Sequence, residues 1–128
     1  MGYASAVNLS ADELDLLART EELTIETTSG SGAVHQTIIW VVVDGEDVFL
    51  RSVKGDEGRW YREAIARPEV VLEARTKRLP AHVVPSADPG SIERCSAALR
   101  AKYHADPALR TMLRPETLPT TLRVLAGE

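Results

Sequence analysis

The stretch Val34–Asp44 limits the possible folds more strongly than any other part of the sequence. It is rich in β-branched residues, which favour strands, and residues 38–43 are all apolar, as in a central strand covered on both faces. Asp44-Gly45 is a frequent hairpin pair, and Val48–Val53 follows as a returning strand. Before Val34–Asp44, the segment Leu23–Thr28 alternates apolar and polar residues, as in a half-buried strand. The sequence therefore predicts three successive antiparallel strands.

The rest of the chain supplies helix signals and further strands. Ser10 and Glu13 have the spacing of a helix-capping box, and Asp88 precedes a proline at a second helix start. Between these two, a short helix is predicted at Arg59–Arg67, which Pro68 ends. Three further strands are expected at residues 70–74, 79–84 and 120–126. The predicted fold is α+β: a six-stranded antiparallel split β-barrel with a few peripheral helices, in one domain over residues 1–128 with a flexible lead-in at residues 1–8.

Composition removes several classes of function. The chain has 15 Lys and Arg residues against 19 Asp and Glu residues, a net charge of −4, which argues against a nucleic-acid partner. No apolar run is long enough to cross a membrane. The single cysteine, Cys95, and three isolated histidines give no metal-ligand spacing. We expect a cytoplasmic protein without a metal site, in which Cys95 is a packed, inert thiol.

The segment from Arg51 to Arg62 is the most informative about function. It contains four basic residues against two acidic ones, and glycines precede a helix whose first N–H groups lack partners. Lys54 and Arg59 could both reach one phosphate there. The alternative is a solvated turn in which Asp56 and Glu57 pair with the basic residues, contributing little to stability.

Residues 51–68, preceded by Ile38-Ile39-Trp40 and Asp44-Gly45, carry a family resemblance. The pattern is similar to the FMN-binding split-barrel superfamily, the pyridoxamine phosphate oxidase-like fold. Within it, the sequence most resembles a small bacterial group near the deazaflavin-dependent nitroreductases. The resemblance extends from about Leu23 to Leu125, because the order of strands also agrees.

The resemblance implies a homodimer that binds FMN or a deazaflavin between subunits and acts as an oxidoreductase on a small organic acceptor. Lys54 corresponds to a lysine that contacts the cofactor phosphate, and Tyr103 lies in a helix that carries substrate-facing tyrosines. No catalytic residue is identified. The implied cofactor-binding residues are Trp40, Ser52, Lys54, Gly55, Arg59, Trp60 and Tyr61.

The turn after the first strand departs from the family pattern. Relatives carry basic residues and a proline there, whereas this chain has Ser29–Thr37, with His35 near a usual arginine position. That composition weakens the case for a deazaflavin, whose anionic tail needs cationic partners, and it leaves open that no cofactor binds. It also leaves open a second hypothesis, that the protein is a non-catalytic dimeric binding or scaffold protein with an empty or repurposed groove.

Overall fold

The computed structural model describes residues 7–127, so most of the predicted lead-in, residues 1–6, lies outside the described residues. Within this range, no helix has the length and apolar content needed to span a bilayer. Short 3-10 turns cover Gly55–Glu57, Pro107–Leu113 and Pro115–Thr120. The other elements in chain order are α1 (Ala11–Arg19), β1 (Glu22–Thr28), β2 (Val34–Trp40), β3 (Val42–Asp44), β4 (Asp47–Leu50), α2 (Arg59–Ala66), β5 (Glu69–Ala74), β6 (Lys77–Pro85), α3 (Pro89–Lys102) and β7 (Leu122–Ala126).

Local chemistry explains where the predicted helices begin. Ser10 Oγ accepts from the Glu13 N–H at 3.2 Å, and Glu13 Oε1 accepts from the Ser10 N–H at 2.9 Å, which is the predicted capping box. Asp88 Oδ2 accepts from the Ser91 N–H at 3.0 Å at the start of α3. These side chains satisfy N–H groups that a helix leaves without intrahelical partners.

The seven strands form one antiparallel sheet in the order β2-β1-β5-β6-β7-β4-β3. Its two edge strands, β2 and β3, follow each other in the chain with only Val41 between them. Because consecutive Cα atoms are about 3.8 Å apart, the two edges must meet at this residue. The sheet is therefore strongly curled into a half-barrel.

The predicted α+β class is confirmed, but the predicted number of strands, six, is wrong. The single strand expected over Val34–Asp44 is broken at Val41, so its first part pairs with β1 and its last part with β4. The break is stable because the end of α3 and its C-terminal cap supply partners: Val41 N–H donates to Tyr103 Oη at 3.3 Å, and Lys102 Nζ donates to the Val41 carbonyl at 2.6 Å. The expected central strand is thus an edge strand, and its Ile38 is 68% exposed.

Two apolar clusters hold the elements together. The larger packs α1 and α2 against the sheet and includes Ile25, Leu72 and Trp60, which anchors α2. The smaller lies between α3 and strands β3 and β4, and includes Phe49 and Cys95. Helix α2 is thereby fixed over β1, with its first turn beside the β4–α2 connection.

Candidate functional site

A cavity of about 590 Å³ opens between three parts of the chain that the sheet brings together. Strand β2 supplies one wall, the β4–α2 connection supplies the second, and the 3-10 turn Pro107–Leu113 supplies the third. This size lies within the range of roughly 300–1,000 Å³ that is usual for small-molecule sites. Five of the predicted cofactor-binding residues line it: Trp40, Ser52, Lys54, Arg59 and Trp60.

The β4–α2 connection presents backbone donors to this cavity. Gly58 is the N-terminal cap of α2 and offers no side-chain hydrogen bond, and the first intrahelical bond runs from the Arg62 N–H to the Gly58 carbonyl at 3.0 Å. The N–H groups of residues 59–61 therefore have no intrahelical acceptor. Together with the helix dipole, they favour an anion at this end.

Ser52 has a hydroxyl group without a partner at the same corner. Its side chain is 1% exposed, and Oγ forms no hydrogen bond within residues 7–127. The Ser52 N–H is satisfied by Thr120 Oγ1 at 3.0 Å, which fixes the backbone beside the cavity. A buried hydroxyl without a partner is unfavourable, so a ligand atom that bonds to it would recover that free energy.

Lys54 and Arg59 add two exposed positive charges to the cavity wall. Neither side chain forms an ion pair in the described part of the chain, and neither Asp56 nor Glu57 does so. The local pairs that the solvated-turn alternative requires are therefore not formed among these residues. Both cations are available to a negatively charged ligand.

Two tryptophans form the apolar part of the cavity. Trp60 is 6% exposed and belongs to the main apolar cluster, so it both anchors α2 and lines the site. Trp40 stacks on Tyr103 with ring centroids 3.9 Å apart and an interplanar angle of 5°. A planar ligand would therefore meet rigid aromatic walls.

Three residues named from the sequence lie outside the cavity wall. Gly55 has φ +65°, and a Cβ there would lie 3.0 Å from the Glu116 carbonyl oxygen. Glycine therefore allows the backbones of residues 55 and 116 to approach closely. Tyr61 packs edge-on to Trp60 at 6.3 Å. Tyr103, predicted to face the substrate, lies behind Trp40 and donates its hydroxyl to the Glu21 carbonyl at 2.6 Å.

Arg51 is a cavity residue that the sequence did not single out as a binding residue. Its side chain is 2% exposed, although arginine is rarely buried, and the residue lines the cavity. Its partners lie in α3 and in residues 112–121, forty or more positions later in the chain. The sequence contained no local signal for this burial.

A carboxylate–histidine pair joins α2 to the β1–β2 hairpin. Glu63 Oε2 lies 2.9 Å from His35 Nδ1, and Thr27 Oγ1 donates to Glu63 Oε1 at 2.7 Å. Burial alone would raise the pKa of Glu63, but the hydrogen bonds from Thr27 and His35 hold that pKa below its usual value. The pair fixes the position of α2 against β2, which are two walls of the cavity.

The sequence matches the model of one protein family. The model of a family described as an uncharacterized protein conserved in bacteria (DUF2255) matches residues 13–124. The comparison with curated proteins finds no match.

Solved structures share the fold at low sequence identity. A provisionally assigned pyridoxamine 5'-phosphate oxidase from Listeria innocua has a TM-score of 0.60 at 14% identity, covering 88% of this chain and 87% of that one. An F420-H2 dependent reductase (FDR-A) has a TM-score of 0.61 at 17% identity, covering 81% and 92%. HutZ, described as a heme storage protein from Vibrio cholerae, has a TM-score of 0.63 at 12% identity, covering 95% and 92%.

The resemblance stated from the sequence is confirmed, because pyridoxamine phosphate oxidase-like split barrels and F420-dependent reductases are structural neighbours of the chain. These neighbours are described as an oxidase, a reductase and a heme storage protein, so they show the fold alone. The chain belongs to the bacterial DUF2255 family and folds as a relative of the pyridoxamine phosphate oxidase-like split barrels.

Proposed function

We propose that this protein binds a flavin-type cofactor in the cavity and acts as an oxidoreductase on a small organic acceptor. The observation that carries the proposal is the unpartnered, buried Ser52 hydroxyl at the corner where Lys54, Arg59 and the start of α2 meet. These groups fit an anionic ligand that also offers a hydrogen-bonding partner to Ser52. A phosphate ester attached to a polar ring system has both properties.

The residues of the cavity fit the two parts of such a cofactor. Lys54, Arg59 and the N–H groups at the start of α2 would hold the phosphate through charge-assisted hydrogen bonds. Ser52, which lies against Gly58 at the same corner, would donate its hydroxyl to the phosphate, and Trp40 and Trp60 would provide apolar walls that limit the access of water. When bound, a flavin or deazaflavin supplies hydride exchange with an organic acceptor, and the protein supplies binding and orientation.

FMN is the preferred cofactor in this proposal. The turn Ser29–Ala33 between β1 and β2 is neutral, and Arg67 Nη2 donates to its Gly30 carbonyl at 3.3 Å. A deazaflavin with an anionic tail would gain few charge-assisted contacts there. FMN ends at the phosphate that the Lys54 corner would hold, so the neutral turn does not disfavour it.

Titration of the protein with FMN and, separately, with F420 tests the proposal through the change in cofactor fluorescence. We expect saturable binding, tighter for FMN, that Lys54→Glu abolishes. Lys77→Glu is the matched control, because Lys77 is exposed on β6 and does not line the cavity. Absence of binding by both cofactors to the intact protein would overturn the proposal.

We also propose that two copies of the chain share the cavity. Ile38 lines the cavity while remaining 68% exposed, and Val34 on the same edge strand is 58% exposed. A second copy would cover this apolar rim. Light scattering should give the mass of a dimer at micromolar concentration, and Ile38→Lys should give that of a monomer; a monomeric parent protein would contradict the shared cavity.

The scaffold hypothesis and a heme site receive no specific support. The cavity is open, and Lys54 forms no ion pair with Asp56 or Glu57 in the described chain. None of the residues 7–127 that line the cavity is a histidine that could ligate heme iron. Among the same residues, no three His, Cys, Asp or Glu side chains form a group that could hold a metal ion.

A further inference from the structure

Arg51 carries a buried positive charge whose partners are all neutral. Nε donates to Thr121 Oγ1 at 3.1 Å, and Nη1 donates to Ser96 Oγ at 3.0 Å and to the Met112 carbonyl at 3.1 Å. Nη2 donates to the Ile92 carbonyl at 3.1 Å. Hydroxyl and carbonyl oxygens orient the guanidinium, but they contribute no negative charge to balance it.

No carboxylate of residues 7–127 lies within ion-pair distance of this guanidinium. Burial lowers the pKa of Arg51, and the nearby Arg100 acts in the same direction. The thiol of Cys95 cannot compensate near neutral pH, because burial raises its pKa to about 11. Holding an unbalanced charge in a buried site is strongly unfavourable.

Arg51 also borders the cavity at a place separate from the Lys54 corner. A guanidinium has five N–H groups, and the four bonds above leave one on Nη2 for a further acceptor. Ser52, the next residue, is packed against Gly58 at the start of α2, whereas the Arg51 head group lies among α3 and the turn Pro107–Leu113. The Arg51 head group therefore has surroundings different from those of the Lys54 corner, in a cavity that the carboxylates of Glu22 and Asp106 also line.

We propose that Arg51 determines substrate specificity and that the substrate is a small organic carboxylate, whose negative charge lies beside this guanidinium. The identification of the ligand as a substrate rests on the proposed function, whereas the preference for a carboxylate rests on Arg51 alone. The phosphate of the cofactor would occupy the Lys54 corner, so the position at Arg51 stays available for a second anion. An uncharged ligand of the same shape would leave the guanidinium without a countercharge.

Benzoate and benzamide test this preference, because they have nearly the same size and differ in charge. Affinities are measured by NMR titration of the cofactor-free protein without inorganic phosphate, which would compete with benzoate for the guanidinium. We expect benzoate to bind about tenfold more tightly or better, as expected for a hydrogen bond to a charged group. The Arg51 Nε–H resonance should shift with benzoate at the same concentrations.

Variants separate the charge of Arg51 from the general charge of the protein. Arg51→Gln should remove the preference for benzoate, and Arg51→Lys should retain part of it. Arg100→Gln is the matched control, because it removes a neighbouring positive charge from an exposed residue that does not line the cavity, and it should leave the preference unchanged. If Arg51→Gln does not fold, the wild-type affinities and the Arg51 resonance still decide the question.

Failure of this proposal is distinguishable from failure of the proposed function. Equal affinity for the two probes, no binding of either, or an unshifted Arg51 resonance at saturation would overturn the carboxylate preference, even if FMN binds normally. A clear preference for benzoate without FMN or F420 binding would support the Arg51 position while overturning the oxidoreductase function.

Discussion

Gly58 lies so close to Ser52 that a Cβ built at Gly58 would be 2.5 Å from Ser52 Oγ. The backbone of Gly58, with φ −65° and ψ 131°, is open to any residue, so the constraint comes from space and not from backbone strain. We expect Gly58→Ala to lower the free energy of unfolding by about 1–3 kcal/mol, the usual cost of overpacking. Urea denaturation measures this change.

A double variant tests whether contact with Ser52 causes the loss of stability. Adding Ser52→Ala to Gly58→Ala removes the Oγ atom that the new methyl group would meet, so most of the lost stability should return. FMN binding should be weak in the double variant, because the Ser52 hydroxyl is gone. If the double variant is no more stable than Gly58→Ala alone, contact with Ser52 is not the reason for the glycine.

Tyr103 is expected to support the cavity wall without contacting the ligand. Its hydroxyl donates to the Glu21 carbonyl and accepts from the Val41 N–H, so Tyr103→Phe should cost about 1–3 kcal/mol of stability. The affinity of the folded protein for FMN should change little. Tyr61→Phe is the control, because the Tyr61 hydroxyl forms no hydrogen bond among the described residues, and it should change stability by less than about 0.5 kcal/mol.

The pair Glu63–His35 should make stability depend on pH in acid. Because the pKa of Glu63 in the folded state lies below its ordinary value of 4.5, its contribution is fully present above that pH and is lost as the pH falls through the folded pKa. Glu63→Gln should therefore destabilise the protein by about 1–2 kcal/mol at pH 7 and by progressively less below pH 4.5.

The exposed pair Glu69–His82 is the control for Glu63→Gln. Glu69 lies 3.3 Å from His82 Nδ1, but its side chain is 79% exposed. Glu69→Gln should change stability by no more than about 1 kcal/mol. Equal effects of Glu63→Gln and Glu69→Gln on chemical denaturation at pH 7 would show that the Glu63 pair does not hold α2 in place.

Cys95 should resist thiol reagents in the folded protein. It is 1% exposed, and burial raises the pKa of its thiol to about 11, although Arg51 opposes part of this rise. The reactive thiolate is therefore scarce at pH 8. Reaction with a chromogenic disulfide should be slow in buffer and fast in denaturant, and rapid labelling in buffer would contradict the packed, inert thiol predicted from the sequence.

Features fixed by neighbouring residues could be predicted from the sequence. The capping box of Ser10 and Glu13 and the Asp44-Gly45 turn depend on residues no more than three positions apart, and both are present. The break at Val41 could not be predicted, because the groups that stabilise it, Lys102 and Tyr103, lie 61 and 62 residues further along the chain. That long-range contact is the reason why one predicted strand is two.

In the candidate site too, some positions follow from the local sequence and others depend on distant contacts. Ser52, Lys54 and Arg59 belong to one short segment, so their common position at a strand–helix corner follows from the local sequence. The burial of Arg51 depends on α3 and on the segment before β7, which no local pattern places. The position of Tyr103 behind Trp40 depends on α3 packing against β3.

In the proposed function, the start of α2 and its neighbouring cations hold the phosphate of the cofactor. Amide NMR spectra of the protein titrated with FMN, and separately with riboflavin, which lacks the phosphate, test this directly. We predict large shifts of the Arg59, Trp60 and Tyr61 amides with FMN, much smaller shifts with riboflavin, and an affinity for FMN about tenfold higher or more. Equal affinities, or FMN saturation without movement of these three amides, would contradict the account.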